Sequence, residues 1–452
     1  MHRKTLLFGL IVFFSVSAFP AWAGGGKDGT SLKGMNVVIG NWWGDYDVNT
    51  FIPRNDTEEK LLDQRKKFLK DNNFTMMEKA LTDWNGMMQI AATSTMAGSP
   101  AAQVFLVQPN WAMVLRARGL VAPLSDKVVD VKKPAPAAKG YPAPEWNQAT
   151  IDSFTFDGKA YGFSFGINTY NANVVFFNKR LFREAGLDPN LPYDMQKDGT
   201  WTWENFINIC KKLTRDIDND GIIDTYATTA DLSTDFLDAV VASNGATYVD
   251  KDPKTGKFVN ATGRPEFLEA LQFFIRLKDE GVIKIRPEGS NWDWYKGEFT
   301  DGKVAMRIDE SYARNDFQYM TDDWGMVLFP KGPKSPTYCV YTRDNIMVIP
   351  STYKSDEVDK ILWALALWYT PVNTDWKSPE YNMFRDTRAV DETLELIRTP
   401  KMSMIKYYTY INGLERGDIA WNLWWFEGEP SQLVESVSQS WNALIDDANS
   451  IN

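Results

Sequence analysis

The stretch Phe154–Leu187 (FTFDGKAYGFSFGINTYNANVVFFNKRLFREAGL) constrains this chain more than any other. Asp157-Gly158 sits between the alternating Phe154/Phe156 and Lys159-Ala160-Tyr161, which is a hairpin turn signal. Tyr161–Phe165 then runs into Gly166-Ile167-Asn168 with little to hold a rigid course. Asn173–Asn178 (NVVFFN) is a short apolar run rich in β-branched and aromatic residues, and Lys179–Ala185 turns helical up to Gly186, a natural stop. A turn, a crossing strand, a buried strand and a capped helix suit a chain passing from one lobe to another.

These residues also carry a resemblance. Asp157-Gly158-Lys159, Tyr161-Gly162, Phe177-Asn178-Lys179, Leu181-Phe182 and Ala185-Gly186-Leu187 resemble the first inter-lobe crossing of the extracellular solute-binding proteins of sugar-importing ABC transporters, the maltose-binding-protein-like group. Further segments are similar to the same family: Gln103–Val107 with Trp111 and Gly119–Leu124; Thr202-Trp203 with Cys210–Thr214; Phe299 with Gly302–Tyr312; Trp324–Pro333; and Cys339–Pro350. Ala101-Ala102 stands where the family keeps an Asp after Pro, which puts one supporting hydrogen bond in question.

The resemblance implies an α/β fold, a two-lobe periplasmic-binding-protein architecture with discontinuous lobes. Three hinge crossings are expected, near Ser164–Asn168, Tyr295–Phe299 and Tyr341–Asn345. Residues 24–164 and 297–342 would form the N-terminal lobe; residues 165–296 and 343–452 would form the C-terminal lobe. The implied role is capture of a sugar or oligosaccharide between the lobes and delivery to a membrane permease, by a monomer without enzymatic activity.

Composition narrows the alternatives. His2-Arg3-Lys4, the apolar Leu6–Val16 and Ala21-Trp22-Ala23 read as a signal peptide over residues 1–23. Its apolar core is too short for a membrane span of about 20 residues, and nothing later rivals it. With no cysteine at the cleavage site a lipid anchor is not expected, so the anticipated location is periplasmic. The formal net charge is −10, and without a basic run nucleic acid is a poor partner. The one histidine leaves with the leader, which removes Ser-His-Asp and Cys-His catalysis and His-ligated zinc from the mature chain. Cys210 shares a helical face with Phe206, Ile209 and Leu213, and Cys339 lies in a strand-like YCVY; both read as free thiols packed as small hydrophobes, the alternative in an exported protein being a disulfide between them.

Asp216, Asp218, Asp220 and Asp224, with Gly221 between them, have the spacing of the first nine positions of an EF-hand loop. Position 12 is Ala227 rather than Glu. The expected cofactor is one structural Ca2+, held by these four Asp and the Ile222 carbonyl; the alternative is a solvated acidic turn.

The 18 Trp suggest how a ligand is read. Flat aromatic rings cover the C–H faces of a sugar, while carboxylate, amide and guanidinium groups satisfy its hydroxyl edges. The candidate ligand-binding residues are Trp43, Asp45, Trp84, Gln108, Asn110, Trp111, Asn168, Trp292, Trp294, Glu310, Tyr341, Arg343, Trp424 and Trp425, all near expected strand ends or crossings. Carboxylates are numerous enough that a polysaccharide-active hydrolase or lyase, and a carbohydrate-adhesion protein, stand as alternatives.

Overall fold

The structure is a computed structural model describing residues 31–125, 129–166, 172–229, 234–291, 293–342, 345–399, 402–425 and 428–450. In chain order the strands of its two larger sheets are β1 (Asn36–Asn41), β2 (Thr75–Ala80), β3 (Val104–Val107), β4 (Asn173–Asn178), β5 (Tyr226–Thr229), β6 (Ile283–Lys284), β7 (Val304–Glu310), β8 (Trp324–Leu328) and β9 (Ile346–Val348). The first sheet has the order β9-β3-β1-β2 and the second β6-β5-β7-β4-β8. In each, three neighbouring strands run parallel and the chain's return from the other lobe, or from the sheet's own edge, adds antiparallel pairs.

The apolar runs explain the layering. Val174, Val175, Phe176 and Phe177 of β4 are all fully buried. A strand covered on both faces needs a continuous apolar run rather than an alternating one. Helix α1 (Asp56–Asn72) opens with Asn55 accepting from the Glu58 N–H and closes on Asn73 at φ 51°. The expected Asp157-Gly158 hairpin forms: Thr155–Phe156 pairs with Lys159–Ala160, and both turn residues have positive φ, 48° and 76°. Gly162 lies so close to β9 that a Cβ there would sit 2.5 Å from Ile346 Cγ2, so a glycine is required where this strand passes. Cys210 is fully buried, Cys339 is half-buried, and both are free thiols.

The lobes divide differently from the sequence expectation. β7 and β8, placed within 297–342 and so expected in the N-terminal lobe, instead flank β4 in the second sheet. β9, expected in the C-terminal lobe, pairs with β3 in the first. Helix α2 (Trp84–Met96) and α3 (Pro109–Ala117) follow β2 and β3 in the first lobe, whereas α4 (Trp203–Leu213), α5 (Thr234–Ser243) and α6 (Pro265–Asp279) belong to the second. Helix α7 (Ser355–Trp368) packs on α1, where Gln64 Nε2 donates to the Thr370 carbonyl at 2.7 Å. Beyond it the chain rejoins the second lobe: Arg388 pairs with Asp194 at 2.9 Å, and helices α8 (Gly417–Trp425) and α9 (Pro430–Ser450) pack there. The chain therefore passes between lobes between 166 and 172, around 342–345, and again between 370 and 377. Tyr295–Phe299 is not a crossing; Phe299 is fully buried against Phe317 within the second lobe. The local pattern of β7 does show a strand. Which sheet it joins depends on pairing with distant segments, β4 and β5, which no local pattern records.

The first and third passages leave from one aromatic knot in the first lobe. Phe165 stacks on Tyr369 at 4.3 Å and meets Trp146 at a tilt at 4.6 Å.

Candidate functional site

In open α/β sheets the carboxyl ends of parallel strands are where ligands collect. At that edge of the first sheet the chain builds a row of indoles. β1 ends at Asn41, which is fully buried. Its Oδ1 accepts from the Trp43 and Gly44 N–H groups at 3.0 and 3.1 Å, and its Nδ2 donates to the Gly44 carbonyl at 2.9 Å. This turn fixes the direction in which Trp42 and Trp43 leave the strand. After β2, Asp83 caps α2 through the Gly86 N–H at 3.0 Å and sets Trp84 as the first helical residue. After β3, Pro109 begins α3 and places Trp111 in its first turn.

Three separate loops thus converge. Trp43 meets Trp42 at 4.8 Å, Trp42 meets Trp111 at 5.7 Å, and Trp111 meets Trp84 at 5.1 Å between ring centroids. Trp42 and Trp111 are half-buried, while the ends of the row, Trp43 and Trp84, are 54% and 51% exposed. Gln108 Nε2 donates to Asn345 Oδ1 at 3.1 Å, tying this edge to the second passage between lobes. Asn110, half-buried, precedes Trp111 on α3. Asp45 is exposed, and its carboxylate accepts from the Ala80 N–H at 2.8 Å, which fastens the loop to β2. Just after Ala101-Ala102, Gln103 Oε1 accepts from the Val38 N–H at 2.8 Å, which ties the start of β3 to β1.

The corresponding end of the second sheet is where β7 finishes beside the start of β4, Glu310 opposite Asn173. Here charge dominates. Glu310 is buried and accepts from Lys406 Nζ at 2.7 Å. Lys406, itself buried, also pairs with Asp238 at 3.2 Å. Asp238 further accepts from the Tyr408 hydroxyl at 2.6 Å and pairs with Arg416, which reaches Asp235 at 2.8 Å. Next door, burial pushes the Asp309 carboxyl up to about 6 despite the opposing pull of Arg307. Tyr312, two residues beyond Glu310, is 45% exposed at the same strand end.

The candidates therefore separate. Trp43, Trp84 and Trp111 come together, with Gln108, Asn110 and Asp45 beside them in the chain. Trp294 is half-buried at the start of the helix Trp294–Thr300. Two candidates are core residues. Tyr341 is fully buried and donates to the Ala246 carbonyl at 2.8 Å. Trp424 is 4% exposed and packs edge-on against Phe274 at 6.0 Å. Tyr341 stands near an expected chain crossing and Trp424 beside polar loop residues, but both side chains turn inward. Asn168, Trp292 and Arg343, and the side chain of Trp425, lie outside the described residues. Trp42, Tyr312 and Lys406 were not among the candidates. Trp42 was legible in the doublet, though which member of a strand-end pair faces out was not. Lys406 carries no local signal.

A cavity of about 600 Å³ lies away from the indole row, on the second lobe, lined by Trp203, Phe273, Glu204, Arg276, Lys331 and Pro333 among others. The remaining acidic candidates form their own cluster on a surface loop. Carboxylate oxygens of Asp216, Asp218 and Asp224 lie within 4.8 Å of one another. Asp216 also accepts from the Gly221 N–H at 2.8 Å, and Asp220 from the Ile222 N–H at 2.7 Å.

A family model described as bacterial extracellular solute-binding protein matches residues 80–371, more than half of the 452-residue chain. No curated protein matches the sequence. Among solved structures, an ABC substrate-binding protein from Listeria monocytogenes in complex with cycloalternan is similar at 17% identity and TM-score 0.57, over 92% of this chain and 98% of that one. The cyclic alpha-maltosyl-1,6-maltose binding protein from Arthrobacter globiformis is similar at 15% identity and TM-score 0.61, over 91% and 98%. UgpB from Mycobacterium tuberculosis in complex with glycerophosphocholine is similar at 15% identity and TM-score 0.61, over 91% and 98%. At these identities the likeness is one of fold, and that fold is two-lobed α/β. Among the described residues no helix is long and apolar enough to cross a membrane.

Proposed function

The chain belongs to the bacterial extracellular solute-binding proteins, and from that premise we propose that it is the carbohydrate-capturing component of an ABC importer. A saccharide settles between the lobes, the lobes close on it, and the closed form presents it to a membrane permease. The observation that carries this reading is the row Trp43–Trp42–Trp111–Trp84, built by three loops at the ligand-bearing edge of one sheet and exposed at both ends. Contiguous exposed aromatic surface on a soluble protein marks a binding site, and an indole face suits the C–H face of a sugar. Structural neighbours, one in complex with cycloalternan and one named as a cyclic alpha-maltosyl-1,6-maltose binding protein, support the same class. The protein acts as a monomer that binds without transforming its ligand, exported to the periplasm behind the leader at residues 1–23. The test is calorimetric titration with saccharides, paired with a reducing-end assay. Single-site binding with no new reducing ends is expected; release of reducing ends would place the protein among the hydrolases.

A structural calcium belongs to the same proposal. The loop fits a hard, oxygen-seeking cation: three carboxylates converge, and Asn219 and Gly221 adopt left-handed φ of 62° and 90°, which bend the backbone around them. Asp216, Asp218, Asp220, Asp224 and the Ile222 carbonyl would supply the oxygens. The twelfth position lacks its usual bidentate Glu, so binding is expected to be weaker than in a full loop. Calcium added to chelated protein should raise the melting temperature and titrate as one site, and Asp218→Ala should abolish both. No heat of binding at millimolar calcium would reduce the loop to a solvated acidic turn.

A further inference from the structure

Resting on the carbohydrate reading, we infer that Asn41 is a positioning residue of the site: fully buried, it reaches no ligand, and it sets affinity by holding Trp43 in its binding direction before ligand arrives. Trp43 differs from the other exposed indole. Trp84 opens α2, whose hydrogen-bond ladder fixes its backbone. Trp43 stands in a loop between the end of β1 at Asn41 and Tyr46, which exchanges two backbone hydrogen bonds with Glu78, each 2.9 Å. Packing gives its ring little direction. It is 54% exposed, and among the described residues its one ring contact is the edge of Trp42, crossing at 83°. What orders the loop is the Asn41 amide. Oδ1 accepts from two successive N–H groups, Trp43 at 3.0 Å and Gly44 at 3.1 Å, while Nδ2 donates to the Gly44 carbonyl at 2.9 Å. One buried side chain thus holds the backbone on which the ring stands. The turn needs an amide, which accepts and donates at once; a carboxylate accepts only, and a methyl does neither. The Asp45 carboxylate adds a second tie, to the Ala80 N–H at 2.8 Å. A ring ordered in advance spares the complex the entropy of ordering it, and the gain appears as affinity.

The test is a double-mutant cycle read by calorimetry at a temperature where every variant is folded, with glucose, mannose, xylose and their linked oligomers as probes. Asn41→Ala should weaken the tightest-binding probe by about three- to tenfold. It should cost nothing further once Trp43→Ala is present, because Asn41 acts through that ring. Asn41→Asp, which keeps the acceptor and loses the donor, should fall between the wild type and Asn41→Ala. A second readout needs no ligand. In protein labelled with 5-fluorotryptophan, the fluorine resonance lost in Trp43→Phe belongs to Trp43. In Asn41→Ala that resonance should sharpen and move toward the position of free fluorotryptophan, while those of Trp84 and Trp201, assigned in the same way, stay in place. If Asn41→Ala lowers the melting temperature and shifts all three resonances, yet folded protein keeps its affinity, the residue is merely structural and the inference is overturned. Equal loss of affinity with and without the Trp43 ring overturns it too. Either result leaves the carbohydrate reading intact. Failure of every saccharide to bind folded wild type overturns that reading, and with it the affinity role of Asn41, whatever the fluorine resonance does.

Discussion

Lys406→Met should destabilise the protein by about 3–5 kcal/mol, as expected when one member of a buried ionic group is removed. Lys406 is 1% exposed and lies between Glu310 at 2.7 Å and Asp238 at 3.2 Å. Methionine keeps much of the volume and removes the charge, so two buried carboxylates lose their shared cation. Arg416 and the Tyr408 hydroxyl still hold Asp238, whereas Glu310 loses the lysine. In urea denaturation at pH 7 the midpoint should fall clearly with little change in slope. The pair Lys406→Met with Glu310→Gln should recover part of the loss, because a neutral amide costs less to bury than a carboxylate that has lost its lysine. An unchanged midpoint in Lys406→Met would show that the network contributes little. The segment that supplies Lys406 and Arg416 lies beyond residue 371, where the family match ends, yet it completes the strand end that carries Glu310.

The second large effect separates core tryptophan from ligand-facing tryptophan. Trp201 is fully buried, packs edge-on against Phe206 at 5.6 Å, and donates its indole N–H to the Leu328 carbonyl at 2.8 Å. Trp201→Ala should cost about 3–5 kcal/mol from the cavity alone, and the stranded carbonyl at the end of β8 adds about 1–3 kcal/mol unless water reaches it. Trp43→Ala removes a ring that is already 54% exposed, so its stability cost should be about 1 kcal/mol or less, near the range of surface substitutions. Thermal and urea unfolding of both variants decides this. Equal destabilisation would mean that Trp43 is a core residue that happens to reach the surface.

The contrast shows how far the sequence could be read. Elements whose signals are local were legible: the Asp157-Gly158 hairpin, the buried run of β4, the apolar face of α4. The motif-bearing stretch Phe154–Leu187 led to the correct family because its turn, strand and capped helix occupy consecutive positions. Lobe membership was not legible for β7, β8 and β9, because a strand's partners are chosen by the whole chain. Among the indoles, Trp43 and Trp84 were named for their places at element ends, and the structure brings both into one row with Trp42 and Trp111. Trp424 misled, because α8 turns that side chain onto Phe274 of α6, and helix packing decides that facing. Tyr341 misled for a similar reason: it lies beside the second passage between lobes, but its hydroxyl is committed to the Ala246 carbonyl. The charge network was invisible in sequence, since Glu310, Asp238, Lys406 and Arg416 come from distant segments, and each alone reads as a surface residue.

Capture between two moving lobes is the central claim, and small-angle scattering tests it most directly. Profiles are recorded for the chelator-treated and calcium-loaded protein, each with and without a saturating oligosaccharide. Closure predicts that ligand reduces the radius of gyration and the maximum dimension in both, with each sheet internally unchanged. A profile that does not change at saturating ligand, in protein shown by calorimetry to have bound it, would contradict closure and leave a fixed carbohydrate-binding cleft in its place.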